Sequence, residues 1–294
     1  MKNFKLTIEY DGKDFNGWQK QRDRLNIQGE IERAIETVTG EKVELIASGR
    51  TDAGVNALAQ IANFKINNCK IPVEKLPYAL NSQLKKSIRI KRAEEVEEKF
   101  HSRYNCKKKT YIYTINNSEQ GSAIYRYMQY HYPIKLDEAK MNKAAKYLEG
   151  EHDFKSFKAS GTSSKSSVRT IYEAKVYRDF VDNDLIKIKL TGNGFLYNMV
   201  RIIAGTLLEV GEGKINPEEV KKILDAKDRK MAGKTLSAYG LCLIKVEYEN
   251  NKNYQIERLK WNISRINLTN NPTKISHRNG RIYYLTNHAR ELTS

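Results

Sequence analysis

Apolar and polar residues alternate at the start of the chain: Phe4, Leu6, Ile8 and Tyr10 are separated by Lys5, Thr7 and Glu9. A period of two predicts a strand with one buried face. The period then lengthens. Ile27, Ile31, Ile35 and Val38 fall on one face of a helix. Asn26 is placed to cap its start and Gly40 to end it. Two apolar runs, Val43–Ala47 and Gln60–Ile66, read as strands. Pro72–Leu80 reads as a short helix broken or bent near Pro77, and Ser87–Ala93 as a strand. The order is β-α-β-β-α-β, the ferredoxin-like arrangement.

The same order returns further on. Thr110–Ile115 reads as a strand, and Asp137 caps a helix that runs to Leu148. Val168–Tyr177 and Leu185–Leu190 are strands joined through Asp182-Asn183-Asp184. Leu196, Met199, Val200, Ile203, Ala204 and Leu207 mark a strongly apolar helix. Asn216-Pro217-Glu218-Glu219 opens a short one, with Asn216 as cap and the proline and acids where a helix start wants them, and Leu241–Tyr248 is a last strand. The expected class is α+β. Two ferredoxin-like halves stand in a pseudo-twofold arrangement, with largely antiparallel sheets, helices packed on one side and a basic cleft between the halves. The expected boundaries are 1–100, 101–249 and a basic Asn-rich tail, 250–294. The tail holds nine Asn, eight Lys or Arg and two Glu without a clean period, so it reads as mobile or partly folded, against a small appendage docked through Trp261, Ile263 and Ile266.

Charge narrows the function. Lys and Arg number 52 against 35 Asp and Glu, a net +17 in 294 residues. Such an excess attracts polyanions, with nucleic acid the first candidate. A membrane surface competes, but no stretch is long or apolar enough to span one. Eighteen Tyr against eight Phe adds rings with polar tips, suited to base stacking. Cys69, Cys106 and Cys242 are far apart and odd in number, which points to a reducing compartment. No CxxC, HExxH or close His pair offers a metal site. The N-terminus enters a strand pattern without a signal-peptide core, so the expected location is cytoplasmic.

The candidate chemistry centres on Ser48-Gly49-Arg50-Thr51-Asp52-Ala53-Gly54-Val55, between two strands. Gly49 and Gly54 are expected to take the unusual backbone angles of a tight loop. Asp52 at a strand end can face a ligand as nucleophile, base or metal ligand, and Arg50 would keep it ionised. Its alternative role is to bond its own turn and pair with Arg50. Arg201 interrupts an apolar helix; it either seeks a carboxylate, with Asp52 a candidate, or sits on the helix's exposed edge. Arg103–Tyr111 and Phe154–Arg169 mix cations with rings, a pattern suited to single-stranded or distorted nucleic acid, although about half of these residues fit a solvated loop with core aromatics. Ser160–Ser167 is a polar loop without the Walker pattern, and Gly192-Asn193-Gly194 lacks the third glycine of a dinucleotide site.

Several stretches in order resemble the tRNA pseudouridine synthase A (TruA) family. They are Phe15–Gln21, Gly49–Val55, Phe100–Arg103, Lys109–Tyr113, Gly150–Phe157, Phe195–Arg201, Ala226–Arg229 and Gly240–Leu243. The resemblance runs from about Phe4 to Glu249. It implies isomerisation of uridine to pseudouridine in the anticodon stem-loop, at tRNA positions 38, 39 and 40, by a homodimer without cofactor or metal. It gives Asp52 the nucleophile's place, Tyr111 that of the tyrosine on the target base, and Arg201 that of the arginine paired with the Asp. Arg50 and Lys109 look like cleft cations in the substrate-binding set. The carboxylate could add at C6 of the base or at C1′, or remove a sugar proton to give a glycal; the sequence leaves these routes open. Asn56 stands where the family usually has His, and Leu236-Ser237 where it has Ala-Pro, departures that bear on which uridines are chosen. The rival from another class is a basic RNA-binding protein without catalysis.

Overall fold

The alternating N-terminal segment forms β1 (Lys2–Tyr10), with Phe4, Leu6 and Ile8 buried. It pairs antiparallel with β3 (Asn56–Ile66) on one side and β4 (Ile88–Val96) on the other. A computed structural model describes residues 1–161 and 166–249, together with the backbone of two strands within 275–284. Helix α1 (Ile27–Thr39) has the expected ends. The Asn26 side chain accepts from the Gly29 N–H at 2.8 Å, and Gly40 closes the helix at φ +76°. Two expectations fail locally. The strand at Val43–Ala47 shrinks to β2 (Ile46–Ala47), paired only with Asn63 and Ala62 of β3. The helix expected from Pro72 starts only at α2 (Leu76–Gln83), and Pro77 neither breaks nor bends it but lies in its first turn, where its missing N–H costs no bond.

The second half comprises β5 (Cys106–Asn116), β6 (Tyr130–His131), α3 (Glu138–Lys146), β7 (Gly150–Asp153), β8 (Val168–Arg178), β9 (Leu185–Gly192), α4 (Met199–Gly211), α5 (Glu219–Ala226) and β10 (Leu241–Tyr248). Asp137 caps α3 by accepting from the Lys140 N–H at 3.0 Å. The cap expected of Asn216 is reversed: the Glu219 carboxylate accepts from the Asn216 N–H at 2.8 Å. The short strands β6 and β7 have no counterpart in the periodicity.

One sheet spans both halves in the order β4-β1-β3-β10-β5-β9-β8-β7, with β2 also on β3 and β6 on β5. Each half reads fourth, first, third, second strand along it: β4-β1-β3-β2, then β10-β5-β9-β8. The halves meet where β10 pairs parallel with β3, through Cys242 opposite Asn56 and Leu243 opposite Ala57. The outer edge of β3 is therefore divided. Its late residues hold β2, and its first residues hold the other half. This division is why β2 is short.

Helix α4 is buried nearly all round, including Met199, Ile202, Ile203 and Leu207. Phe154 and Phe157 also lie fully in the core, so those rings of the second basic-aromatic stretch do not face a ligand. By contrast, Tyr104 of the first stretch is exposed. Residues Asn250–Ser294 make a separate unit, in which β11 (Ile275–Arg278) pairs antiparallel with β12 (Arg281–Tyr284). The expectations for the rest of the tail, including Trp261, Ile263 and Ile266, and for residues 162–165 lie outside the described residues. No described helix is long and apolar enough to cross a membrane.

Candidate active site

The loop from Ser48 to Val55 leaves β2 and returns as β3. Gly54 turns it at φ +79°, and the Val55 N–H donates to the Asp52 carbonyl at 3.1 Å. Gly49 does not show the unusual backbone angle expected of it. Its φ is not positive; instead a Cβ there would sit 2.6 Å from Lys109 Nζ.

Four groups fix the loop's backbone and inner side chains. Gln60, fully buried in β3, accepts from Ser48 Oγ at 2.7 Å and donates to the Gly49 carbonyl at 2.8 Å. The Tyr10 hydroxyl bonds Thr51 Oγ1 at 2.7 Å. The Trp18 N–H donates to the Thr51 carbonyl at 3.0 Å. That approach depends on Gly17, where a Cβ would lie 2.6 Å from the same carbonyl. Lys109 Nζ donates to the Ser48 carbonyl at 2.6 Å. Burial pushes the Lys109 ammonium below its ordinary pKa, the nearby Cys106 thiol opposes that shift, and Arg103 and Arg169 add to it.

Asp52 is left partly exposed on this fixed frame, facing Arg201 of α4. Arg201 Nη1 lies 3.9 Å from Asp52 Oδ2, within ion-pair range but beyond a direct hydrogen bond. The guanidinium is held elsewhere: Nε donates to the Leu236 carbonyl and Nη1 to Asn198 Oδ1, both at 2.7 Å. Asn198 stands at the head of α4 with φ +59°, a conformation rare for a residue with a side chain. Its amide does not cap the helix; it orients Arg201. Arg201 thus faces the site and not the helix's exposed edge.

The electrostatics differ from the expectation. Burial raises the Asp52 carboxyl above its ordinary pKa, and Arg201 only partly offsets the shift. Arg50 is exposed and forms no ion pair among the described residues, so it is not the partner of this carboxylate. Tyr111 is buried on β5, edge-on to Phe195 with centroids 5.2 Å apart. Burial, then the neighbouring Tyr10 and Asp52, push its phenol upward, so the ring stays neutral at physiological pH.

A cleft of about 410 Å³ opens beside the loop, within the size range of small-ligand sites. Lys13 to Asn16, Ala53, Gly54, Arg201 and Ser237 to Tyr239 line it. Asn56 ties its rim together. Its Oδ1 accepts from the Gly12 N–H at 2.8 Å, and its Nδ2 donates to the Tyr127 carbonyl at 3.2 Å. Leu236 meets Arg201 through its backbone carbonyl, a contact any residue supplies.

The fold brings Asp52 and Arg201 together from two elements and sets Tyr111 near the Asp52 charge; Lys109 reaches the same loop at Ser48, and Arg50 stays outside this group. Sequence reasoning missed the supports Gln60, Tyr10 and Asn198, and the ring partner Phe195. The available signals were an amide inside an apolar strand for Gln60, and the three-residue spacing to Arg201 for Asn198.

The tRNA pseudouridine synthase family matches residues 6–105 and 144–249. The chain is 52% identical to the tRNA pseudouridine synthase A of Clostridium acetobutylicum, 51% to that of Caldicellulosiruptor saccharolyticus and 50% to that of Acetivibrio thermocellus. Each alignment covers 84% of this chain and the full length of the relative. Among solved structures it is similar to an H/ACA RNP bound to a substrate RNA containing 2′-deoxyuridine, at 10% identity and a TM-score of 0.35, over 90% of this chain and 56% of that one. The chain belongs to the tRNA pseudouridine synthase family, and it is an isomerase.

Proposed function

We propose that this enzyme converts uridine to pseudouridine in the anticodon stem-loop of tRNA, at positions 38, 39 and 40, with Asp52 as nucleophile. The observation that carries the reading is the Asp52 carboxylate, 3.9 Å from Arg201, on a loop pinned from both halves beside an open cleft. In the reaction the C1′–N1 bond breaks, C1′ joins C5, C5 loses its proton, and N1 gains one. Attack at C6, attack at C1′ and removal of a sugar proton all require an ionised carboxylate held against the nucleoside. Arg201 supports that ionisation against burial. The target base must leave its stack to reach Asp52, and in this reading the neutral Tyr111 ring covers it. Arg50, exposed on the same loop, contacts RNA phosphate in this reading. The basic tail adds further phosphate contacts, the enzyme works as a homodimer, and its place is the cytoplasm, where tRNA is processed. Family resemblance supports the dimer, and charge supports the tail's role.

The test is a map of pseudouridine in tRNA from cells with and without the protein. The expected result is loss at positions 38, 39 and 40 in the deletion, restored by the wild-type chain. Loss confined to other uridines would show a shifted specificity.

A further inference from the structure

Lys109 is a cation in a basic protein of RNA-modifying type, and its simplest role would be to hold a phosphate. Its geometry says otherwise. The residue lies inside the sheet, with its backbone opposite Gly192 of β9 and Val246 of β10. From there the side chain crosses from the second half to the first and ends on the Ser48 carbonyl, 2.6 Å away. The first half leaves room for it, because Gly49 has no Cβ at the place where Nζ sits. On the other side of the same loop, Gln60 takes the Ser48 hydroxyl and the Gly49 carbonyl. Ser48 and Gly49 are thus gripped between a strand of their own half and a side chain of the other.

Such a strut has work to do here. The halves join near the site through a pairing only two residues wide, Cys242 with Asn56 and Leu243 with Ala57. Asp52 belongs to the first half and Arg201 to the second. Their separation therefore depends on how firmly the loop is tied across the junction. We propose that Lys109 is a positioning residue: its ammonium ties the Asp52 loop to the second half and so sets Asp52 against Arg201. This rests on Asp52 being the nucleophile. The Ser48 carbonyl gives the buried amine a hydrogen-bond partner, while burial still holds its pKa below the ordinary value.

The test compares wild type, Lys109→Met, Gly49→Ala and Asp52→Asn. Lys109→Met keeps most of the stem and loses the ammonium. Gly49→Ala keeps the ammonium but sets a Cβ 2.6 Å from its place, so that Nζ must shift from its position on the carbonyl. Two quantities are read: the single-turnover rate of pseudouridine formation at saturating tRNA, and tRNA affinity across a salt series. Rates are taken well below every variant's unfolding midpoint, so lost folding does not mimic lost alignment. Expected for both Lys109→Met and Gly49→Ala is a rate about 100-fold lower, the size of a 1 Å misplacement. Affinity should stay within about threefold, or about 0.7 kcal/mol, and its salt slope should be unchanged. A phosphate contact would give the opposite split: Lys109→Met would weaken binding and flatten the slope by about one contact, with the saturating rate intact. That result overturns the proposal, as does full activity in Gly49→Ala. If Lys109→Met does not fold, Gly49→Ala decides alone. An active Asp52→Asn would instead bring down the nucleophile assignment, and this proposal with it.

Discussion

The same topological connection, from the second strand of a half to its third, is built in two ways. In the second half, β8 and β9 pair from Arg178 opposite Ile186 to Ile171 opposite Gly192, and the turn between them is exposed. There Asp182 accepts from the Asp184 N–H at 3.1 Å, and the side chains serve the turn itself. In the first half, β2 is two residues long and the connection is the Asp52 loop. The early part of β3 is left without β2 and is taken by β10 of the other half. A full-length second strand closes a hairpin. A truncated one frees both a loop and a sheet edge, and the site forms where the other half docks on that edge.

The largest expected effect breaks the comparison at its chemical end. Asp52→Asn should reduce pseudouridine formation by about 10⁴-fold or more. Tritium release from C5-labelled uridine in tRNA measures it, while filter binding should show affinity within about tenfold. Stability should move the other way. A carboxyl whose folded pKa is raised contributes stability at low pH and loses it as pH rises from its unfolded to its folded value. Asp52→Asn should therefore have the higher thermal midpoint at pH 7, with the difference vanishing near about pH 3.

Arg201→Gln tests the contribution of the second half. Losing the cation removes what lowers the Asp52 pKa, so the carboxyl rises further. The acid limb of the pH–rate profile should shift to higher pH, with a rate at neutral pH lower by about 10²-fold. An unmoved limb would separate Arg201 from this carboxylate.

Gln60→Leu tests the frame beneath the loop. It strips partners from Ser48 Oγ and the Gly49 carbonyl within a buried network. Chemical denaturation should show a loss of about 2 kcal/mol. The smallest effect belongs to the other connection. Asn183→Ala, in the exposed β8–β9 turn, should change stability by less than about 0.5 kcal/mol and leave turnover as it was. A catalytic defect there would show that the two connections are less different than their pairing indicates.

Elements with a strong period were legible in the sequence. The β1 alternation, the Asn26 and Gly40 ends of α1, the apolar α4 and the bounds of β10 follow from local rules, because each depends on residues within a few turns of itself. Asp52 and Arg201 were also legible, through a resemblance carried by contiguous motifs. The strand at Val43–Ala47 was not, because its length is set by competition for the edge of β3, and the competitor is nearly 200 residues away. The role of Pro77 failed for a smaller reason: a proline reads as a break or bend until the helix start is known.

By itself, then, the chain's pattern determined two β-α-β-β-α-β halves, a basic protein and an acid on a glycine-flanked loop. Tertiary structure decided which cation faces that acid. Arg50 is two residues away in sequence yet exposed, whereas Arg201 reaches Asp52 from another half. It decided that Lys109 meets a carbonyl and that its Nζ sits where a Cβ on residue 49 would crowd it. It also decided the sign of the Asp52 shift, because burial, which no local spacing records, outweighs the charge of its partner.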